Sequence, residues 1–466
     1  IPASRIIGGY DVKDGVIVPR YNHSAVIEAV FRRPRVTVGL MTAAKLLSAV
    51  EPIIRYQRQR FRGGAASAPG TPKHDLGLQQ REDALHRLVD IWATGEAACS
   101  VGFAAARLFD EFDPLEKEKE RLLVEQGIAG GRAELRALRA RQADALEWVA
   151  LAHAPEEERD QARYDELSRD AIVQFLVKDA VANVLCPAVK LWNTGHGANM
   201  MREAVSLMGG YGITEDCPGF LGHKWMDAQL EATYEGPEAV QRRQLSITMT
   251  NEIFLALMRH WAREMRAIAA NRPGTGACTV GSAMELWLWT FDHLLRAKDP
   301  EGQPLYHDRR HGVTFAMADA LCWLLASRHQ VLDLLELERK GSDNPVVAEG
   351  LEGLLGFFGD LAYVQAARSA GEVGRVCAEL VFGYNRHPAW REDYEGHYFG
   401  AGELDALEGI APGIHACARA MSDVFEDDGS HAAKAGPCVR FEGMQTFQRM
   451  RTKLDGCLTG ARLAKD

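Results

Sequence analysis

The stretch Tyr234-Glu235-Gly236-Pro237-Glu238-Ala239-Val240-Gln241-Arg242 carries residue types that proton chemistry needs. It sets a carboxylate in a tight turn immediately before a helix. Gly236 has no side chain to keep a ligand away. The first amides of the following helix point at whatever lies beside the turn, which suits an anion such as a pyrophosphate. A Glu beside a Tyr in a dry pocket has the means to act as a general base. The plainer alternative is an ordinary turn carboxylate. A second constellation is the basic run from Arg55 to Arg62, containing Arg58-Gln59-Arg60-Phe61. It is either a solvated helix end favoured by the helix dipole or a guanidinium placed for a phosphate. A third, His307-Asp308-Arg309-Arg310-His311, sets two His one helical turn apart. No third ligand accompanies them, so a polar loop is expected and no metal site.

The elements that position these residues are mostly helical. Val36, Leu40, Ala43, Ala44, Leu47, Val50 and Ile54 repeat at helical spacing, which predicts a helix over 35–56. The glycine-rich stretch Gly63–Pro72 ends it. Further helices are expected over 78–109 and 171–191, around 226–231, and from Pro237, in its first turn, to about Met258. Residues 116–170 interleave both charge signs and read as an exposed, solvated hairpin. Ahead of the helices, residues 6–19 alternate β-prone pieces with an Asp14-Gly15 turn, which predicts a hairpin. Two strands do not make a stable sheet alone. They dock on helices, or the rest of their sheet lies on another chain. After Gly276 the chain is again helical, with breaks near 298–308, 340–344 and 384–402. Trp287, Trp289 and Trp323 are expected in a bundle core or an oligomer interface.

The bulk properties set limits. At 466 residues the chain exceeds one ordinary domain. A net charge of −10 argues against a general nucleic-acid binder. The nine cysteines are scattered, odd in number and without a C-x-x-C pair, so reduced thiols in a cytoplasmic protein are expected. No apolar run is read as reaching transmembrane length, and no signal peptide is read at the start. The first residue is Ile1 rather than Met, which suggests a processed or truncated chain.

Together the motifs resemble the acyl-CoA dehydrogenase family. Gly209-Gly210-Tyr211-Gly212 matches its glycine turn, Asp227-Ala228 its D-A pair, and Tyr234-Glu235-Gly236 with Gln241-Arg242 its last motif. Arg58 through Phe61 resembles an R-x-x-F-G that closes the first helix of the C-terminal domain, with Arg60 in reserve. Leu88-Val89-Asp90-Ile91 resembles the L-A-D-M that follows, and Arg35 the arginine that opens the first helix. The resemblance covers roughly residues 5–250. It departs from the family at Ser206 (often Gln), Met226 (Arg) and Pro237 (Thr), and through the charged insertion.

The resemblance implies a mainly α fold. An acyl-CoA dehydrogenase-like C-terminal four-helix bundle spans 31–258, with an insertion at 116–170. The last strands of a β-domain precede it at 1–30, and a second helical bundle follows at 259–466. It implies FAD as cofactor and Glu235 as the base that removes the α-proton of an acyl-CoA while hydride leaves the β-carbon. Arg58, Phe61, Gly209, Gly210 and Gln241 would bind cofactor, the Arg on the FAD pyrophosphate of a neighbouring subunit. Tyr234, Gly236 and Arg242 would line the substrate. The implied partners are an acyl-CoA, an electron-transfer flavoprotein, and a companion chain carrying the N-terminal helical and β-domains, in a homo- or hetero-oligomer. A non-catalytic, acyl-CoA-binding or structural subunit is the alternative. Flavin oxidases and monooxygenases of the same fold rank last, since they usually lack a Glu here.

Overall fold

The computed structural model describes residues 10–19, 23–60, 76–128, 131–298 and 302–382. Phe61, Cys417, Cys438, Cys457 and the expected break at 384–402 lie outside them.

Strands β1 (Tyr10–Lys13) and β2 (Val16–Pro19) pair antiparallel, with Lys13 opposite Val16. Asp14 and Gly15 both take positive φ, the twist that a two-residue hairpin turn needs. Val12, Val16 and Ile17 stay exposed, and among the described residues no third strand joins the hairpin.

Helix α1 (His23–Gln59) begins earlier than its periodicity predicts and runs through Pro34 and Pro52. Tertiary contacts explain the added turns. Arg32 Nη2 donates to Asp179 and Asn183, and the guanidiniums of Arg32 and Arg33 lie 5.0 and 5.3 Å from the rings of Phe112 and Phe109. Those partners offset the lost backbone bond at Pro34. Arg35 therefore does not open the helix. It is buried within it, and its Nη1 donates to Gln244 at 2.5 Å.

Helix α2 (Glu82–Glu125) also outruns its prediction, because Phe112 and Leu123 continue the buried face past Phe109. The charged segment then folds into α3 (Gly131–Ala140), α4 (Gln142–Ala152) and α5 (Gln161–Arg169). It is only partly solvated: Ala145, Val149 and Leu167 join the main core, and Trp148 Nε1 donates to Ser168 at 2.9 Å.

Helix α6 (Ala171–Leu207) is the axis of the molecule. Asp170 caps it by accepting from the amides of Ile172 and Val173. The predicted end at Leu191 is overturned, because the polar Lys190, Asn193 and Thr194 lie inside the protein. Asn193 Nδ2 donates to the carbonyls of Gly39 and Ala98, joining α1, α2 and α6. Gly39 allows the close approach: a Cβ there would lie 2.6 Å from Val189 Cγ1. By length and composition α1 and α6 could each cross a membrane, contrary to the sequence reading. Half (50%) and 61% of their apolar windows are buried within the protein, as in the central helices of a bundle.

Two short helices follow, α7 (Leu221–Glu231) and α8 (Glu238–Thr248). The expected run to Met258 is broken: Asn251 caps a new helix, α9 (Glu252–Asn271), by accepting from Ile253 and Phe254. With α10 (Ala277–Arg296), α11 (His311–Lys340) and α12 (Leu351–Phe382) it forms the second bundle. Trp287 is buried there, with Nε1 on the Met317 carbonyl at 3.0 Å. The two bundles share one apolar cluster, and Trp323 of α11 meets Trp192 of α6 edge-on at 5.4 Å.

Candidate active site

The turn between α7 and α8 is built around two positive-φ residues, Glu235 (57°) and Gly236 (87°). A left-handed glutamate is an uncommon backbone state that its surroundings must hold. Gln241, one turn into α8, supplies the hold. Its Nε2 donates to the carbonyls of both Glu235 and Gly236 at 3.0 Å. A Cβ on Gly236 would lie 2.7 Å from that nitrogen, so the clamp also requires the glycine. Glu235 Oε2 is buried and accepts no hydrogen bond among the described residues. A carboxylate oxygen held without a donor is available to take a proton from something bound beside it.

The expected partners of Glu235 take varied places. Tyr234 stays partly exposed beside it. Gln241, expected on the cofactor, is buried, and its Nε2 holds the backbone of the Glu235 turn. Arg242, expected on the substrate, pairs with Glu238 at 2.9 Å and with Asp319 of α11 at 2.8 Å. It fixes α8 to the second bundle at the rim of a cavity of about 550 Å³, whose inner wall includes Trp192, His196 and Trp323. Pro237 is the N-cap of α8 rather than a first-turn residue.

Two further residues escaped the motif reading. Lys190 of α6 is buried, and its Nζ donates to the carbonyl of Glu231, the last residue of α7. Burial pushes this ammonium down to about 8, with Glu238, Glu231 and Glu235 pulling the other way. The Glu231 carboxylate is itself buried and accepts from Thr42 and Lys45 of α1. The signal was a lysine inside the apolar run Val189-Lys190-Leu191-Trp192, where charge without a partner is costly.

Arg58, Gly209 and Gly210 gather elsewhere, at the far end of α1 and α6. Arg58 Nε donates to Gln79 at 3.2 Å, and the Tyr56 and Tyr211 rings lie 6.0 Å apart. Nothing lies within 4 Å of a Cβ built on Gly209 or Gly210, so backbone there is open to a ligand. Both amide atoms of Gln57 and the Nε2 of Gln79 are buried without partners among the described residues. From Lys190 to Leu207 the α6 axis advances about 25 Å at roughly 1.5 Å per residue. The structure thus separates Arg58, Gly209 and Gly210 from Glu235. Among the described residues no three His, Cys, Asp or Glu side chains converge as a metal site.

Residues 167–249 match the family model described as acyl-CoA dehydrogenase, C-terminal domain. That stretch contains all the expected site residues except Arg58 and Phe61. No curated protein sequence matches the chain. Among solved structures it is similar to an acyl-CoA dehydrogenase from Bacillus anthracis complexed with FAD, at 15% identity and TM-score 0.46, covering 88% of this chain and 60% of that one. It is also similar to Arabidopsis thaliana acyl-CoA oxidase 1 (14%, TM-score 0.47, 94% and 58%). Acyl-CoA oxidase-2 of Caenorhabditis elegans, bound with FAD, ascaroside-CoA and ATP, gives 14%, TM-score 0.43, and 80% and 49%. The chain spans about half to three-fifths of the length of these proteins.

Proposed function

We propose, on the premise that residues 167–249 form an acyl-CoA dehydrogenase C-terminal domain, that this chain supplies the base for flavin-dependent oxidation of an acyl-CoA to its 2,3-enoyl-CoA. The observation that carries the reading is Glu235: left-handed, clamped by Gln241, with a buried carboxylate oxygen that accepts no hydrogen bond among the described residues. Strain of this kind persists where surrounding structure over-determines it, which favours a functional turn over an ordinary one. Glu235 would take the α-proton of the thioester, and Gly236 would let the acyl chain come close.

FAD, when bound, supplies the acceptor for the β-hydride. The open glycines at 209 and 210, the Arg58 guanidinium, and the Gln57 amide and Gln79 Nε2, which have no partner among the described residues, fit a phosphate-bearing cofactor. Because they lie far from Glu235, they would serve the cofactor of another active site in an oligomer. The hairpin with exposed Val12, Val16 and Ile17 would extend a sheet that a companion chain completes. An electron-transfer flavoprotein is the proposed acceptor.

The second reading, a non-catalytic subunit, draws on Met226 and Leu230. These stand 69% and 59% exposed one turn apart on α7, an apolar stripe suited to assembly. The test is a visible spectrum of the natively purified protein with its companions, before and after anaerobic addition of mixed acyl-CoAs. A flavin band that bleaches supports the enzyme. Absence of a flavin band, with the companion present, supports the structural subunit.

A further inference from the structure

An ammonium is rarely taken out of water without a purpose, because burial opposes its charge. Lys190 is only 1% exposed, midway along the central helix. It touches the base turn at two points. Its Nζ donates to the carbonyl of Glu231, where the negative end of the α7 dipole favours a cation. The same nitrogen lies 5.8 Å from the centre of the Tyr234 ring, within reach of a cation–π attraction. Glu231 and Tyr234 enclose the start of the turn, and Glu235 follows directly.

The charged and titratable groups facing Lys190 come from every element around it. They are Glu231 of α7, Tyr234 and Glu235 of the turn, Glu238 of α8, and Arg35 of α1. The Glu231 carboxylate is occupied by Thr42 and Lys45. Glu238 is shared with Arg242. Among the described residues, Glu235 alone of these three carboxylates has a buried oxygen without a hydrogen-bond donor.

We propose that Lys190 is a positioning residue for the base: its ammonium fastens the end of α7 to Tyr234 and so presents the Glu235 carboxylate in one fixed orientation beside a positive charge. The inference rests on Glu235 being the base, but the fastening itself is a property of this chain with or without turnover. Burial lowers the lysine to about 8, so the ammonium is lost within an accessible pH range. The sign separates this loss from unfolding. A folded value lowered from 10.5 means that the folded chain binds fewer protons between about 8 and 10.5. Raising pH through that window therefore stabilises the fold through this group. A fall in rate near pH 8 would report lost positioning instead.

The experiment compares wild type with Lys190→Met and Lys190→Arg, each purified with its companion chain. Two readouts are taken. Amide hydrogen exchange is followed over residues 231–237, and flavin reduction by a mixture of butyryl-, octanoyl- and palmitoyl-CoA is followed from pH 6 to 9.5. Lys190→Met should speed exchange in the turn about tenfold or more while exchange in α1 and α2 stays at wild-type rates. Its reduction rate should fall roughly 10–100-fold with little change in half-saturation, and its alkaline fall near pH 8 should vanish. Lys190→Arg, charged throughout, should keep slow exchange and move the alkaline fall to higher pH. Wild-type exchange in Lys190→Met overturns the proposal while leaving Glu235 as base. Should Lys190→Met prove unstable, an unmoved alkaline limb in Lys190→Arg overturns it instead. If wild type shows no flavin reduction with any of these thioesters, the base reading fails, and the exchange data alone decide the fastening.

Discussion

The side-chain amide of Gln241 reaches back across one turn of α8 to the carbonyls of Glu235 and Gly236, holding both at 3.0 Å. This link converts a glutamine on a buried helix face into the support of a strained backbone. Gln241→Leu keeps the side-chain bulk but removes the donor. Losing a buried hydrogen-bonded group costs about 1–3 kcal/mol. The released turn should drop turnover further than that loss of stability explains. Thermal unfolding and steady-state rates on the same variant separate the two effects. Wild-type turnover would show that the clamp is not needed.

Glu235 itself should trade stability against activity. If Glu235 is the base, Glu235→Gln should keep shape and any bound flavin while turnover falls by about 10²–10⁴-fold. Glu235→Gly relieves the left-handed strain and should raise stability by roughly 0.5–1 kcal/mol while abolishing turnover. A variant that is more stable and inactive is the signature of a residue kept for function. Near-normal rates in Glu235→Gln would place the base elsewhere.

What the sequence made legible follows from how local each signal is. The Asp14-Gly15 hairpin, the glycine turn and the Glu235 turn are written in adjacent residues, and each forms where expected. Helices outrun their local signals wherever tertiary contact overrides local character. Arg32 and Arg33 extend α1 ahead of Pro34 by binding acids and aromatic rings on α2 and α6. Lys190, Asn193 and Thr194 look like a helix end, yet are polar ties inside a core. Arg242 has a role that no spacing reveals, since Asp319 lies 77 residues away.

Acid should weaken the second bundle through its histidines. Burial, with Arg328 and Arg107 nearby, pushes His329 down to about 3, and burial with His153 and Arg263 pushes His260 down to about 4. Both are neutral in folded and unfolded chains well above pH 7. Below about 6.5 the unfolded chain gains protons that the folded chain refuses, so stability falls as pH drops from 6.5 toward these values. Between pH 7 and 4.5 His329 alone should contribute a loss of roughly 2–3 kcal/mol. Melting temperatures across this range should decline less steeply in His329→Gln. An identical slope would mean that His329 is protonated in the folded chain.

The separation of Arg58, at the end of α1, from Glu235 bears on assembly. If Arg58 serves a cofactor whose base comes from another copy, two inactive chains should complement each other. Arg58→Ala should lose flavin if its guanidinium, held on Gln79, meets the cofactor phosphates. Glu235→Gln should retain flavin and lose turnover. In a mixed oligomer, the intact Arg58 of one chain and the intact Glu235 of the other meet in one complete site. Co-expression of the two variants should therefore restore activity well above either alone. If both residues served the same site within one chain, every site in the mixture would carry one defect and activity would stay at the level of the parents. Measuring turnover of co-expressed against separately expressed and mixed variants distinguishes the two arrangements.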